Sequence, residues 1–123
     1  MDPVSIGRIF AGIAGSLHIA FFYLESVAFG SNKGVQKLFL GRRAENTESV
    51  EVVRVPLLNQ GFYNLFLAAG TLFGLYSGDI ALVRYTLAFY VGAGLVLFAS
   101  SPGKLRAAIL QALPAAIGLY LLR

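Results

Sequence analysis

Four long apolar stretches dominate the sequence, and each one is long enough to cross the hydrocarbon core of a membrane. A spanning helix needs about 20 mostly apolar residues, because each residue adds about 1.5 Å of length. We predict spans at roughly residues 4–29, 56–76, 80–99 and 105–122. Short turns rich in Gly, Ser, Asp or Pro separate the last three spans, which predicts that they are antiparallel neighbours.

The proportion of charged residues supports a lipid environment. Charged residues make up 13% of the chain and hydrophobic residues 57%, whereas a soluble domain carries roughly 25% charged residues. A chain of this size would therefore have too little polar surface to cover a soluble core. We predict an all-α polytopic membrane protein, a four-transmembrane-helix bundle that forms a single domain over residues 1–123. The first stretch is expected to be retained as a span, not cleaved as a signal peptide.

The one long connection, residues 30–55, predicts a short interfacial helix. Apolar residues fall on one helical face and basic residues surround that face: Val35, Leu38 and Phe39, with Lys33, Lys37 and Arg42. This pattern is typical of helices that lie in the plane of the membrane interface. Residues 44–55 are expected to form a helical lead-in to the second span, with Pro56 at a kink or in the first turn of that span.

The loops differ in basic charge. The first and third loops and their flanks hold seven basic residues: Lys33, Lys37, Arg42, Arg43, Arg54, Lys104 and Arg106. The opposite side holds three: Arg8, Arg84 and Arg123. Because cytoplasmic loops carry the excess of Lys and Arg, loops 30–55 and 100–104 are predicted to be cytoplasmic and both termini outside. The chain is then predicted to be a multi-pass protein of the plasma (inner) membrane. Its net charge of +4 is interpreted as an adaptation to anionic lipid and not as a sign of nucleic-acid binding.

Small residues recur at four-residue spacing in three of the spans. The stripes are Gly7, Ala11 and Gly15; Gly70, Gly74 and Gly78; and Ala108, Ala112 and Ala116. Such stripes let helix backbones approach closely in lipid. They predict either packing within the bundle or contacts between copies in a homo-oligomer.

Polar side chains inside the spans are the candidate functional residues, because each one is costly in lipid. His18 and Glu25 lie seven residues apart in the first span, nearly on one side of a helix and about 10 Å apart along its axis. Both can be protonated, and both are candidate catalytic groups. A solute, a water or a third side chain would have to join them.

The other spans extend this polar set. The predicted ligand-binding residues are His18, Glu25, Asn59, Gln60, Tyr63, Asn64 and Gln111, and the third span adds Thr86 and Tyr90. Counted from the helix ends, seven of these residues fall in the cytoplasmic half of the bundle, which predicts a polar cavity open to the cytoplasm: His18, Glu25, Asn59, Gln60, Asn64, Tyr90 and Gln111. The sequence has no cysteine, no metal-ligand spacing and no Gly-rich phosphate loop, so no metal and no cofactor is predicted.

Three ordered motifs carry a resemblance to a known family. Residues 17–25 read LHIAFFYLE, residues 59–70 read NQGFYNLFLAAG, and residues 111–115 read QALPA. They resemble the H-I-x-x-F-Y-L-E, N-Q-G-x-Y-N-x-F-L-A-A-G and Q-G-x-P-A patterns of domain-of-unknown-function family 1304, with Ala112 at the usual Gly. The resemblance covers essentially the whole chain. It implies a short four-helix membrane protein and carries no established activity.

Three functions fit these residues. The first is the binding or transport of a small solute, with protonation of His18 and Glu25, in a homo-oligomer because four helices are few for alternating access. The second is an intramembrane enzyme on a lipid-like or isoprenoid substrate, with His18 and Glu25 as base and acid. The third is a structural or regulatory membrane subunit. The expected partners are the lipid bilayer and a small-molecule or lipid-like ligand.

Overall fold

Every regular element of the chain is helical. The computed structural model describes residues 1–123. Five α-helices follow one another: α1 (Pro3–Phe22), α2 (Lys33–Leu40), α3 (Thr47–Ser77), α4 (Ile80–Ser100) and α5 (Leu105–Leu121). A π-helical segment, Tyr23–Ala28, continues α1, and 3-10 helices occupy Gly41–Glu45 and Pro102–Lys104. The predicted all-α class is confirmed, and so is a short helix in the first loop.

Short polar side chains mark where four of the helices begin. Each accepts a hydrogen bond of 3.0–3.1 Å from a backbone N–H three residues later, which satisfies a donor that has no partner inside the helix. The pairs are Asp2 with Ser5, Asn32 with Val35, Asn46 with Ser49, and Asp79 with Leu82. The Ser5 hydroxyl also donates to Asp2, and these bonds hold the pKa of Asp2 below its usual value.

Two glycines end helices with backbone angles that other residues rarely adopt. Gly41 has φ +58° and follows α2, while Gly78 has φ +75° and joins α3 to α4. Without a Cβ these positions are unstrained. The chain therefore reverses direction after Ser77 within two residues.

Helix α3 passes through Pro56 without ending. Proline has no N–H, so the helical bond to the Val52 carbonyl is missing. Nine helical residues, from Thr47 to Val55, precede Pro56. Pro56 therefore does not begin the helix, and the predicted helical lead-in to the second span is confirmed from Thr47 onward.

Three helices are long and apolar enough to cross a membrane: Pro3–Ala28, Ile80–Ser100 and Pro102–Leu121. Helix α3 is not among them. Its length of 31 residues is sufficient, but Asn59, Gln60 and Asn64 lower its mean hydropathy. The fourth span consequently stays a prediction.

The chain divides into two compact units. The first consists of Met1–His18 and Leu67–Arg123, and the second of Ile19–Phe66. The first unit has an apolar core of seven buried residues: Ala11, Ala14, Val83, Leu87, Tyr90, Ala115 and Leu122. Large apolar side chains such as Phe73, Leu95 and Val96 remain more than 60% exposed, a surface that suits lipid and not water.

Small residues let the helices of the first unit approach closely. A Cβ built on Gly94 of α4 would lie 2.6 Å from the Ala112 Cβ of α5, and one built on Gly118 would lie 3.3 Å from the Gly7 carbonyl oxygen. Ala11 is fully buried. Members of two predicted stripes therefore pack within the chain, and a homo-oligomer stays a prediction.

Candidate functional site

The π-helical segment at the end of α1 carries the one buried acid of the second unit. The Phe29 N–H donates to the Leu24 carbonyl oxygen, five residues back, at 3.0 Å. A π-helical turn holds more residues than an α-helical turn and often occurs at functional sites. Here two consecutive residues, Glu25 and Ser26, both contact α3. Hydropathy alone predicts an uninterrupted helix at this position.

Ser26 fixes the close approach of this segment to α3. Its hydroxyl donates to the Leu58 carbonyl oxygen at 2.7 Å. One turn further along α3 is Gly61, where a Cβ would overlap the Ser26 hydroxyl and lie 3.1 Å from the Glu25 Cβ. The contact therefore depends on glycine at position 61.

Glu25 is held by two amide side chains. Gln60 Nε2 donates to Oε1 and Asn64 Nδ2 donates to Oε2, each at 3.2 Å. Glu25 is 7% exposed and Asn64 8% exposed. The ion pairs of this unit, Lys37–Glu45 and Arg54–Glu51, involve other acids. The Glu25 carboxyl thus accepts hydrogen bonds from neutral groups and forms no salt bridge.

Two predicted members of the set take no part in this arrangement. Asn59 is exposed, and Tyr63 is 63% exposed. Gln60 and Asn64 are one helical turn apart and therefore share a face, whereas Tyr63 is rotated about 100° from Asn64. The predicted polar face of α3 is therefore narrower than the sequence pattern indicates.

His18 belongs to the first unit and is fully buried. Its Nδ1–H donates to the Ala14 carbonyl oxygen at 2.8 Å. A carbonyl can only accept, so in the neutral ring the lone pair lies on Nε2. Gln111 Nε2 lies 3.5 Å from His18 Nε2 and donates to it. The imidazole stacks on the Tyr90 ring, with centroids 3.6 Å apart and planes 17° from parallel.

The Tyr90 hydroxyl begins a chain of three buried hydroxyl groups. The Tyr90 hydroxyl lies 2.8 Å from Thr71 Oγ1, and Thr71 Oγ1 lies 2.9 Å from Thr86 Oγ1. Thr86 donates to the Val83 carbonyl oxygen at 2.9 Å. With one proton on each hydroxyl, Tyr90 donates to Thr71, which donates to Thr86 or to the Leu67 carbonyl oxygen 3.0 Å away.

The sequence patterns did not identify Ser26, Gly61 or Thr71 as part of these groups. A Ser or Thr in an apolar helix commonly bonds a carbonyl of its own helix, as Thr71 does with Leu67. The sequence alone therefore gives little indication that such a residue bonds to another helix. For Ser26 the available signal was its position directly after Glu25, the one acid of the first apolar stretch.

The predicted site residues form two groups in separate units. Gln60 and Asn64 bind Glu25 in the second unit, and Gln111 lies beside His18 in the first. A site that joins His18 to Glu25 stays a prediction. No three His, Asp or Glu side chains lie close enough together to hold a metal ion.

The first unit also has an apolar groove between α4 and α5. Its volume is about 470 Å³, and its walls include Leu95, Phe98, Ile109 and Leu113. No titratable side chain lines it. The groove can accept apolar material, but the residues that line it offer no acid or base.

Fold and composition define an all-α protein whose apolar helices have the length and hydropathy of membrane spans. A family model described as protein of unknown function (DUF1304) matches residues 12–123. The chain belongs to this family, as its three motifs indicate. No curated protein and no solved structure matches it.

Proposed function

We propose that this chain is an integral membrane protein with four spanning helices, and that Glu25 binds a small cationic solute in exchange for a proton. The observation that carries the proposal is the buried Glu25 carboxyl, whose two oxygens accept hydrogen bonds only from the amides of Gln60 and Asn64. A carboxylate inside a membrane is costly unless its charge is balanced. A proton or a cation would balance it.

The fourth span in this proposal is the part of α3 that follows Pro56. From Pro56 to Tyr76 the helix is about 31 Å long at 1.5 Å per residue, which is enough for a hydrocarbon core. The polar groups that lower its hydropathy include Gln60 and Asn64, which bond to Glu25. The excess of Lys and Arg in loops 30–55 and 100–104 favours a cytoplasmic position for those loops.

The side chains around Glu25 suit a cation that donates hydrogen bonds. A primary amide carries both donors and an acceptor, so rotation of Gln60 or Asn64 would turn its carbonyl oxygen towards a bound cation. Guanidinium and ammonium groups are the cations that pair with carboxylates through such bonds. We therefore assign the solute to the class of small organic cations. His18 is the second protonatable group, with its Nε2 lone pair beside Gln111.

A structural role is the second candidate function, and it applies to the buried hydroxyl groups of the first unit. The hydroxyls of Thr71, Thr86 and Tyr90 satisfy one another inside the first unit, and such contacts fix helix register. The enzyme alternative has less support, because the α4–α5 groove that suits a lipid-like substrate is lined without His18 or Glu25.

Uptake of radiolabelled guanidinium into proteoliposomes with an acidic interior tests the proposal. Guanidinium remains charged at all accessible pH values, so it does not leak across the bilayer as a neutral base. We expect uptake above that of protein-free vesicles, abolished by Glu25→Gln and retained by Glu48→Gln, which neutralises an exposed acid of the first turn of α3. Equal uptake by Glu25→Gln and the unsubstituted protein would contradict the proposal.

A further inference from the structure

The chain turns directly from the first apolar helix into α2. The Ser31 and Asn32 N–H groups both donate to the Ala28 carbonyl oxygen, at 3.2 and 2.9 Å. Helix α2 begins at Lys33, immediately after its Asn32 cap. If Pro3–Ala28 spans the membrane, α2 begins next to the end of that span, where the lipid headgroups lie.

One face of α2 is fixed against the end of that span. Gln36 is buried and its Nε2 donates to the Phe29 carbonyl oxygen at 2.9 Å. Phe39 packs edge to face on Phe29, with ring centroids 5.9 Å apart. Leu38 lies about 200° around the helix from Gln36 and is 67% exposed. The outward face of α2 therefore carries an apolar side chain that packs on no core.

Basic residues flank this exposed leucine in the sequence. Lys33, Lys37, Arg42 and Arg43 occur in an eleven-residue stretch without an acid. Lys37 forms an ion pair with Glu45 at 3.4 Å, which ties α2 to the 3-10 helix Gly41–Glu45. Lys33, Arg42 and Arg43 are exposed and form no salt bridge. Their charge is available to an anionic partner.

We infer that α2 and the 3-10 helix Gly41–Glu45 form a docking surface for anionic lipid headgroups. Leu38 enters the interface between acyl chains, while Lys33, Arg42 and Arg43 bind lipid phosphates. The inference rests on the proposed membrane span at Pro3–Ala28. Two features select lipid over other polyanions: the exposed Leu38, and the turn at Ala28 that holds α2 against the end of the span. Each basic residue at such a surface favours anionic lipid by about fivefold.

The sequence permits a direct measurement, because it contains no tryptophan. Leu38→Trp introduces a single indole on the outward face of α2. The full chain is reconstituted in phosphatidylcholine vesicles that contain a minority of phosphatidylglycerol, with brominated acyl chains on one lipid or the other. We expect brominated phosphatidylglycerol to quench the indole several-fold more, mole for mole, than brominated phosphatidylcholine. Arg42→Gln with Arg43→Gln in the same chain should remove most of this preference, so that the two brominated lipids quench nearly equally.

The matched control is Arg8→Gln with Arg84→Gln, which removes two positive charges from exposed residues outside this surface. It should leave the preference for phosphatidylglycerol unchanged. Equal quenching by the two lipids, unaffected by the Arg42 and Arg43 substitutions, would overturn the inference. Absence of quenching by either lipid would also overturn it.

A second variant, Leu95→Trp, distinguishes failure of the docking surface from failure of the proposed membrane spans. Leu95 is an exposed residue of α4, far along the sequence from α2. If α4 spans the membrane, brominated chains of both lipids quench an indole at this position whatever happens at position 38. Loss of quenching at position 95 would contradict the proposed membrane span, whereas retained quenching there with none at position 38 contradicts the docking surface alone.

Discussion

The Ser26 hydroxyl donates to the Leu58 carbonyl oxygen at 2.7 Å. Ser26 directly follows Glu25, the acid whose carboxyl group accepts hydrogen bonds from Gln60 and Asn64. The two interactions bring consecutive residues of the π-helical segment against α3. Because Leu58 contributes a backbone atom, the bond sets the distance between the two backbones. The geometry of the Glu25 carboxyl therefore depends on how closely these helices approach.

Gly61→Ala should disrupt that approach. The new methyl would overlap the Ser26 hydroxyl, and overpacking of this kind typically costs about 1–3 kcal/mol. The free energy of unfolding in detergent measures the loss. Adding Ser26→Gly removes the overlap but also the bond to Leu58, so it should recover only part of the loss.

Gly12→Ala is the matched control, since nothing lies within 4 Å of a Cβ at that position. Replacing a glycine inside a helix by alanine should there be neutral or stabilising by up to about 1 kcal/mol. If Gly61→Ala behaves like Gly12→Ala, the described contact between Ser26 and α3 is wrong.

Asn64→Leu should destabilise the chain more than Gln60→Leu. Both changes remove one donor to Glu25, but Asn64 is buried whereas Gln60 is exposed, so the Asn64 bond is the more enclosed of the two. Loss of a buried partner of a charged or polar group costs about 1–3 kcal/mol. A double-mutant cycle with Glu25→Gln, read by thermal unfolding, should show coupling above about 0.5 kcal/mol for Asn64. Zero coupling would contradict the hydrogen bond.

Thr71→Val should cost more stability than Thr86→Val. Valine at 71 removes the hydroxyl that accepts from Tyr90 and that lies within bonding distance of Thr86, whereas valine at 86 leaves the Tyr90–Thr71 bond intact. Side-chain hydrogen bonds in membrane proteins contribute about 0.6 kcal/mol on average and up to about 1.7 kcal/mol. Thr71→Ser keeps the hydroxyl and serves as the control. The reverse order of the two valine variants would contradict the network.

Gly94→Ala should separate α4 from α5. A Cβ there would meet the Ala112 Cβ at 2.6 Å and the Ala108 carbonyl oxygen at 3.0 Å, so we expect a loss of about 1–3 kcal/mol in unfolding free energy. Ala112→Gly should restore only part of the loss, because the Ala108 carbonyl oxygen also obstructs the new methyl group. Gly92→Ala, with open space around it, should be close to neutral.

The extent of each helix could be predicted from hydropathy and turn residues. The predicted stretches 80–99 and 105–122 correspond to Ile80–Ser100 and Leu105–Leu121, because the polar turns between them are unambiguous. The π-helical segment could not be predicted, since widening one turn leaves the residue pattern unchanged. Glu25, Gln60 and Asn64 could be assigned to one polar set because isolated polar groups are costly in lipid, but their pairing could not be predicted, since it depends on how the helices pack. The exposure of Tyr63 depends on which neighbouring helix covers α3, which local spacing does not encode.

In the hydroxyl network of Tyr90, Thr71 and Thr86, Thr71 can donate its one proton either to Thr86 or to the Leu67 carbonyl oxygen. Each hydroxyl carries one proton, and the last donates to the Val83 carbonyl oxygen, which has no proton to pass on. The hydroxyls therefore link α3 to α4 through neutral groups alone, and their bonds end on backbone carbonyl oxygens of the same two helices. Because no member is charged, salt does not screen this contact.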